Sequence, residues 1–224
     1  MISAPLLGFS YTLQIPGGDL EKRFGYNSNI GGSFLYKTKK NYLFGIEGGF
    51  LFGNIVKDTL ILDGVKTKDK LLINADGNLV GTLFYERGYT ISAKAGKLFP
   101  FKKPNRNSGI ILLSGVGFLQ HKIRIEAFNH TIPQVSQEYK KGYDRLTNGL
   151  ALSQFAGYQY LSNRRLINFF AGFEFMEAFT KNRRGYNYDT MQYDNKLHTD
   201  LLYGFRFGWI LPLYPKKPKE FYFY

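Results

Sequence analysis

The sequence contains no cysteine, which excludes disulfides and thiol chemistry and leaves the compartment open, because oxidising compartments permit disulfides without requiring them. It also lacks an apolar run long enough for a spanning helix: the longest, Ile110 to Leu119, is broken by Ser114, Gly115 and Gly117. A membrane, if there is one, must therefore be crossed by strands. Acidic residues are scarce, with 17 Asp and Glu against 30 Lys and Arg and a net charge of +13. Such an excess suits nucleic acid or anionic lipid headgroups. Met1 to Leu7 has neither a basic n-region nor a long apolar h-region, so no signal peptide is visible. For an exported protein, the signal must have been removed or left out of this sequence.

Aromatic residues and glycine are abundant: 21 Phe, 17 Tyr and 25 Gly among 224 residues. Length alone allows one large domain or two small ones. The segment Tyr42 to Gly53 explains the composition. Alternate positions place Tyr42, Phe44, Ile46, Gly48, Phe50 and Phe52 on one face and Leu43, Gly45, Glu47, Gly49, Leu51 and Gly53 on the other, a period of two and hence a strand. A soluble sheet would bury the aromatic face and show charge on the other. A membrane barrel accounts for both faces, with an aromatic band toward lipid and a narrow lumen lined by small residues and an occasional satisfied charge.

The pattern recurs along the chain. Strands are predicted around Leu7 to Ile15, Asn29 to Lys37, Tyr42 to Gly53, Tyr89 to Gly96, Leu112 to His121, Leu150 to Tyr160, Ile167 to Phe175 and Leu202 to Leu211. After a polar first connection through Asn27, the linkers alternate short and long, the long ones being about 54–82, 122–148 and 181–200. Within the first, Thr59 to Leu62 is expected to form a hairpin. Short turns on one side, long loops on the other and an even strand count characterise transmembrane barrels with both termini periplasmic. A lipocalin-like soluble barrel is the rival and would reverse the polarity of every strand. The expected fold is an all-β, eight-stranded, antiparallel, up-and-down transmembrane β-barrel over residues 1–214, followed by a basic and aromatic periplasmic tail, 215–224.

The aromatic- and glycine-rich strands, such as Ile30-Gly31-Gly32-Ser33-Phe34 and Phe170-Ala171-Gly172-Phe173-Glu174-Phe175, are similar to those of small outer-membrane barrels of OmpA/OmpX shape, in a style that resembles Bacteroidota members. The resemblance is to members expected to lack the C-terminal peptidoglycan-binding domain of OmpA-like proteins. The resemblance implies location in the bacterial outer membrane more than any activity.

Four charges fall on the inward face near mid-strand: Glu47, Lys94, Glu174 and Arg206. Glu47 and Lys94 are expected to be neighbours across one ladder, and Glu174 and Arg206 across the last hairpin. Opposed charges plugging a narrow lumen account for them better than a gated pore. The histidines are His121, His130 and His198. Loose pairings, His121 with Ser114 or His198 with Asp200, would suit a lipid-A-modifying or proteolytic barrel enzyme, but no motif fixes them and rim histidines are the plainer reading. Asn74-Ala75-Asp76-Gly77-Asn78 resembles part of a calcium loop without the later glutamate, and reads as a turn. Asp58-Thr59-Leu60 and Asp189-Thr190-Met191 resemble the short O-glycosylation signal of Bacteroidota.

Lys37, Lys39, Lys40, Lys102, Lys103, Arg106, Arg164 and Arg165 crowd the predicted periplasmic side, where anionic headgroups rather than nucleic acid are their expected partners. Tyr36, Tyr42, Tyr158, Tyr160 and Trp209 are expected to form an interfacial girdle. In the tail, Lys216, Lys217 and Lys219 precede Phe221, Tyr222, Phe223 and Tyr224, a β-prone segment suited to recognition by assembly machinery or by a partner's sheet edge. Outward Ser114 and Gln154 are expected to mark a protein-covered face. Together these features predict a non-enzymatic structural or interaction subunit of a larger outer-membrane assembly, such as a secretion or biogenesis complex, without cofactor or metal. A barrel enzyme and a narrow channel are the alternatives.

Overall fold

Strands that carry bulky residues on one face and small ones on the other satisfy all their backbone groups when the sheet closes on itself, which leaves no edge exposed to lipid. The computed structural model, which describes residues 3–101, 105–127, 132–136, 138–162 and 167–213, has this closure. Eight long strands, β1 (Ala4–Gly18), β2 (Asn27–Lys37), β3 (Tyr42–Gly53), β4 (Thr82–Pro100), β5 (Gly109–Ala127), β6 (Thr147–Leu161), β7 (Asn168–Asn182) and β8 (Leu197–Pro212), form one closed barrel. Each pairs antiparallel with the next, and β8 returns to β1 with Phe9 opposite Trp209 and Thr12 opposite Arg206. Following the register from Thr12 through Asn29, Leu51, Gly88 and His121 to Thr147 climbs toward the long-loop end, the stagger that tilts barrel strands.

The polarity is that of a barrel standing in lipid. Phe173 on the outer face is 72% exposed while Leu51 on the inner face is fully buried. On β4 the outward cations bracket the apolar belt. Arg87 lies over the Tyr85 ring at 4.9 Å on the loop side, and Lys97 lies over Tyr42 at 4.8 Å on the turn side. From Arg87 to Lys97, at about 3.3 Å per residue and a tilt near 40°, the strand rises about 25 Å, the height of an outer-membrane apolar band. Tyr36, Tyr42 and Trp209 stand exposed at the turn end, as expected for a girdle.

Several elements differ from expectation. β4, β5, β7 and β8 extend past the apolar belt into the segments expected as loops. Their outward residues become polar at Arg87, Lys122 and Lys181, but ladder pairing continues beyond them. The first connection is not plain coil: a short helix, α1 (Asp19–Arg23), turns Leu20 and Phe24 into the barrel mouth. It starts at Gly18, whose φ of 64° and contact with the Thr199 carbonyl leave no room for a Cβ. Thr59 to Leu62 is not a hairpin, because the segment winds into a 3-10 helix, Leu60–Val65, that buries Ile61 and Leu62. The two-residue hairpin there is Leu72–Ile73 with Leu79–Val80. Its turn is an Asx turn, with Asn74 Oδ1 accepting from the backbone N–H of Asp76 at 3.0 Å and of Asn78 at 2.7 Å.

The lumen is also less polar than expected. A cluster including Leu6, Leu43, Leu98, Phe155 and Phe170 fills the turn end. A second cluster, including Leu20, Phe24, Leu51, Ile61, Leu119 and Met176, fills the loop end. Polar and charged residues are confined between and around these layers.

Candidate functional site: a sealed lumen

Inward parity on β3, β4, β7 and β8 brings Glu47, Lys94, Glu174 and Arg206 together at mid-barrel. Arg206 holds Glu47 with two nitrogens, Nη1 to Oε1 at 2.8 Å and Nη2 to Oε2 at 2.7 Å, the forked geometry that suits a guanidinium. Its Nη1 also donates to Glu174 Oε1 at 3.2 Å. Lys94 Nζ lies 3.0 Å from Glu174 Oε1 and 3.5 Å from Glu47 Oε1. Ser10 and Ser153 accept further hydrogen bonds from Arg206 and Lys94, at 3.1 and 2.8 Å. The guanidinium also sits 5.3 Å from the Phe170 ring centroid and 5.7 Å from that of Phe155.

Two expected pairs are thus one network of four. The ladder neighbours Glu47 and Lys94 do meet, but the shorter contacts cross the lumen, from Lys94 to Glu174 and from Arg206 to Glu47. Gly115 makes this reach possible: a Cβ there would sit 2.6 Å from Lys94 Cδ and 2.7 Å from Ser153 Oγ. The two positive and two negative charges cancel, and each carboxylate is held by both cations. The cavity beside the network, lined by Glu47, Phe155, Phe170 and Arg206 among others, has a volume of about 20 Å³, room for about one water.

A second polar layer lies at the loop end. His121 Nε2 is 3.0 Å from Asp200 Oδ2, and Thr180 Oγ1 donates to the same oxygen at 2.5 Å. The Phe24 ring stands edge-on to His121, with centroids 5.7 Å apart. Beside them Glu86, fully buried, accepts from Asn27 Nδ2 at 3.0 Å. Glu86 lies beyond Arg87, outside the spanning part of β4, and burial, reinforced by the charge of Asp200, pushes its pKa up to about 8.

Sequence reasoning missed Glu86 and the role of Asp200. The signal was parity: Glu86 continues the inward series of Gly88, Ser92 and Lys94, and Asp200 continues that of Leu202 and Arg206. The expected histidine pairings do not form. Ser114 faces outward while His121 faces inward, and His198 turns to Asp194, 3.3 Å away, rather than to Asp200. A His–Asp pair can orient a base, yet the hydroxyl beside this one, Thr180 Oγ1, donates to Asp200 rather than to the imidazole, and the Phe24 ring that follows α1 packs against His121. Among the described residues no group of three His, Cys, Asp or Glu side chains could hold a metal.

Lys37, expected to meet headgroups, instead points into the turn-end mouth, where its Nζ donates to Asn107 Oδ1 at 3.2 Å and burial lowers its pKa to about 8. Thr59 and Thr190 are exposed at the loop end, and the acids preceding them, Asp58 and Asp189, both reach Arg145, at 3.7 and 2.6 Å. Lys102, Lys103, His130, Arg164, Arg165 and the tail residues Lys216, Lys217, Lys219, Phe221, Tyr222, Phe223 and Tyr224 lie outside the described residues.

The same architecture occurs in solved structures. Neisserial surface protein A, NspA, is similar over 95% of this chain and 100% of its own, at 10% identity and a TM-score of 0.52. Ail, the attachment invasion locus protein of Yersinia pestis, is similar over 94% of this chain and 99% of its own, at 11% identity and a TM-score of 0.44. No protein-family model and no curated protein sequence matches. At such identities the likeness is one of fold: the chain is an eight-stranded antiparallel β-barrel of the bacterial outer-membrane type.

Proposed function

We propose that this protein is a non-enzymatic outer-membrane barrel that works through its surfaces, as a structural or interaction subunit of a larger assembly. One observation carries this: the lumen is shut three times over, by an apolar layer at each end and by the Glu47–Lys94–Glu174–Arg206 network between them. A solute path is thereby closed, and binding is left to the loops, the lipid-facing wall and the tail. In this reading the termini and short turns are periplasmic and the long loops external. Residues 1–214 form the barrel, and 215–224 form a separate basic and aromatic recognition segment. The tail's sequence, three lysines followed by Phe221 to Tyr224, suits addition to a sheet edge.

Affinity purification from native outer membranes, with mass spectrometry of what co-elutes, tests the proposal. A stoichiometric partner that is retained by the full chain and lost on deletion of residues 216–224 is the expected result. A chain that purifies alone from several detergents would overturn the subunit reading.

A further inference from the structure

The lipid-facing wall is not uniform. On β8, β1 and β3 the middle of the belt is apolar, with residues such as Phe205, Phe207, Leu13 and Ile46 exposed. On β2 the Ser28 hydroxyl is engaged by Tyr11 at 2.7 Å. The wall of β5, β6 and β7 is different, being interrupted by Ser114, Gln154 and Glu177. Gln154 stands midway between the outward Asn148 at the loop end and Tyr160 at the turn end, and Ser114 is directly opposite it in the ladder.

Ser114 Oγ donates to Gln154 Oε1 at 2.6 Å. That bond consumes the hydroxyl proton and leaves the Gln154 N–H₂ and the Ser114 oxygen lone pairs facing hydrocarbon. Glu177 shares the outward parity of Phe175 and Phe179 and lies between Leu152 and Leu201 across its two ladders. Its carboxyl makes no hydrogen bond or ion pair among the described residues. Lipid tails offer neither donors nor acceptors, so these groups call for partners that the bilayer does not supply.

We propose that the chain pairs with a second copy of itself through the lipid-facing wall of β5, β6 and β7, with Ser114, Gln154 and Glu177 at the centre of the contact. Self-complementarity singles out this occupant. A primary amide carries both donors and an acceptor, so with a two-fold axis along the bilayer normal near Gln154, its N–H₂ meets the partner's Ser114 oxygen or the partner's Gln154 carbonyl. Strand tilt raises each successive strand of the wall, so Glu177 on β7 comes level with the stretch Phe118 to Gln120 on the facing β5. Gln120 accepts from Asn148 Nδ2 at 3.1 Å through its carbonyl, and its own N–H₂ remains to donate to the facing carboxylate. The bonds form reciprocally, as an isologous contact requires.

The absence of cysteine makes the test direct. Leu152→Cys, beside Gln154 on this wall, and Ile46→Cys, on β3 across the barrel, are made in the full chain. Each variant is reconstituted at low density in phosphatidylethanolamine and phosphatidylglycerol vesicles and treated with a short bismaleimide, and folding is verified by migration of the unheated barrel on gels. The expected result is at least tenfold more cross-linked dimer from Leu152→Cys than from Ile46→Cys, falling to the Ile46→Cys level when Gln154→Leu and Glu177→Leu are added. Both additions make the wall more apolar and leave the lumen untouched. Equal yields from the two positions, no dimer, or a dimer that survives the added substitutions would each overturn the proposal.

Discussion

Arg206 neutralises two carboxylates at once, so its loss cannot be absorbed by one neighbour. In Arg206→Ala, Lys94 alone faces Glu47 and Glu174 across a lumen with room for about one water, and removing one member of a buried ionic set typically costs ~3–5 kcal/mol. Urea unfolding from lipid vesicles is expected to register a loss in that range, with part of it recovered when Glu47→Gln removes the surplus charge. Planar bilayers containing Arg206→Ala are expected to stay silent, because Leu6, Leu43 and Phe170 below and Leu51, Leu119 and Met176 above still close the bore; steady current would refute the triple seal. Glu86 supplies a different test. Its pKa is raised in the folded barrel from the ordinary 4.5 to about 8, so the folded state holds a proton that the unfolded state releases across that window. Its contribution is fully present below about pH 4.5 and is lost as pH rises to about 8. Glu86→Gln should therefore remove part of the fall in stability between these limits, by up to a few kcal/mol, with little difference at the acid end. Unfolding at a series of pH values checks this, and identical profiles for the two proteins would reject it.

β3 was legible almost residue for residue, because Tyr42 to Gly53 repeats one rule, bulky outside and small inside, over its whole length. Its ladder pairing with β4 followed, and with it the meeting of Glu47 and Lys94. What sequence could not supply was the chord across the barrel: adjacency along a ladder is local, whereas the approach of Lys94 to Glu174 depends on closure between β8 and β1. The loop-end layer was hidden for another reason. Polarity marks the edge of the lipid and not the end of hydrogen bonding, so strands delimited by outward aromatics stopped short of Glu86 and Asp200. The mouth elements α1 and Leu60–Val65 are too short to show a helical period, and they exist because Leu20, Phe24, Ile61 and Leu62 have a hydrophobic layer to enter. Phe24→Ala tests that dependence. It removes a fully buried ring packed on His121 and is expected to cost about 3–5 kcal/mol of local stability, opening the segment 54–81 to limited proteolysis while the barrel keeps its unheated gel mobility. Unchanged protection would mean that α1 does not hold the mouth.

The distribution of length and charge over the whole barrel is what the proposed orientation rests on. Short connections such as Thr38 to Asn41 lie at one end, with Lys39 and Lys40, and the described N-terminal residues and Leu213 lie at the same end, where the Leu213 N–H donates to the Pro5 carbonyl at 2.8 Å. The opposite end carries the long connections, folded into a tyrosine-rich surface in which Tyr186 contacts Tyr188 and Tyr193 at centroid distances of 6.2 and 5.0 Å. In the orientation proposed above, a barrel inserted from the periplasm passes its loops through the bilayer and keeps its short turns and termini behind, with the tyrosine surface facing outside the cell. Because the chain has no cysteine, single substitutions report this without background. Tyr193→Cys, at a side chain 73% exposed, should react in intact cells with a membrane-impermeant maleimide, whereas Lys39→Cys, in the exposed β2–β3 turn, should react only after the outer membrane is permeabilised. The reverse pattern would put the turns and both termini outside. It would also remove the recognition segment 215–224 from any periplasmic partner, so this experiment bears on the tail's proposed role as directly as on the barrel's orientation.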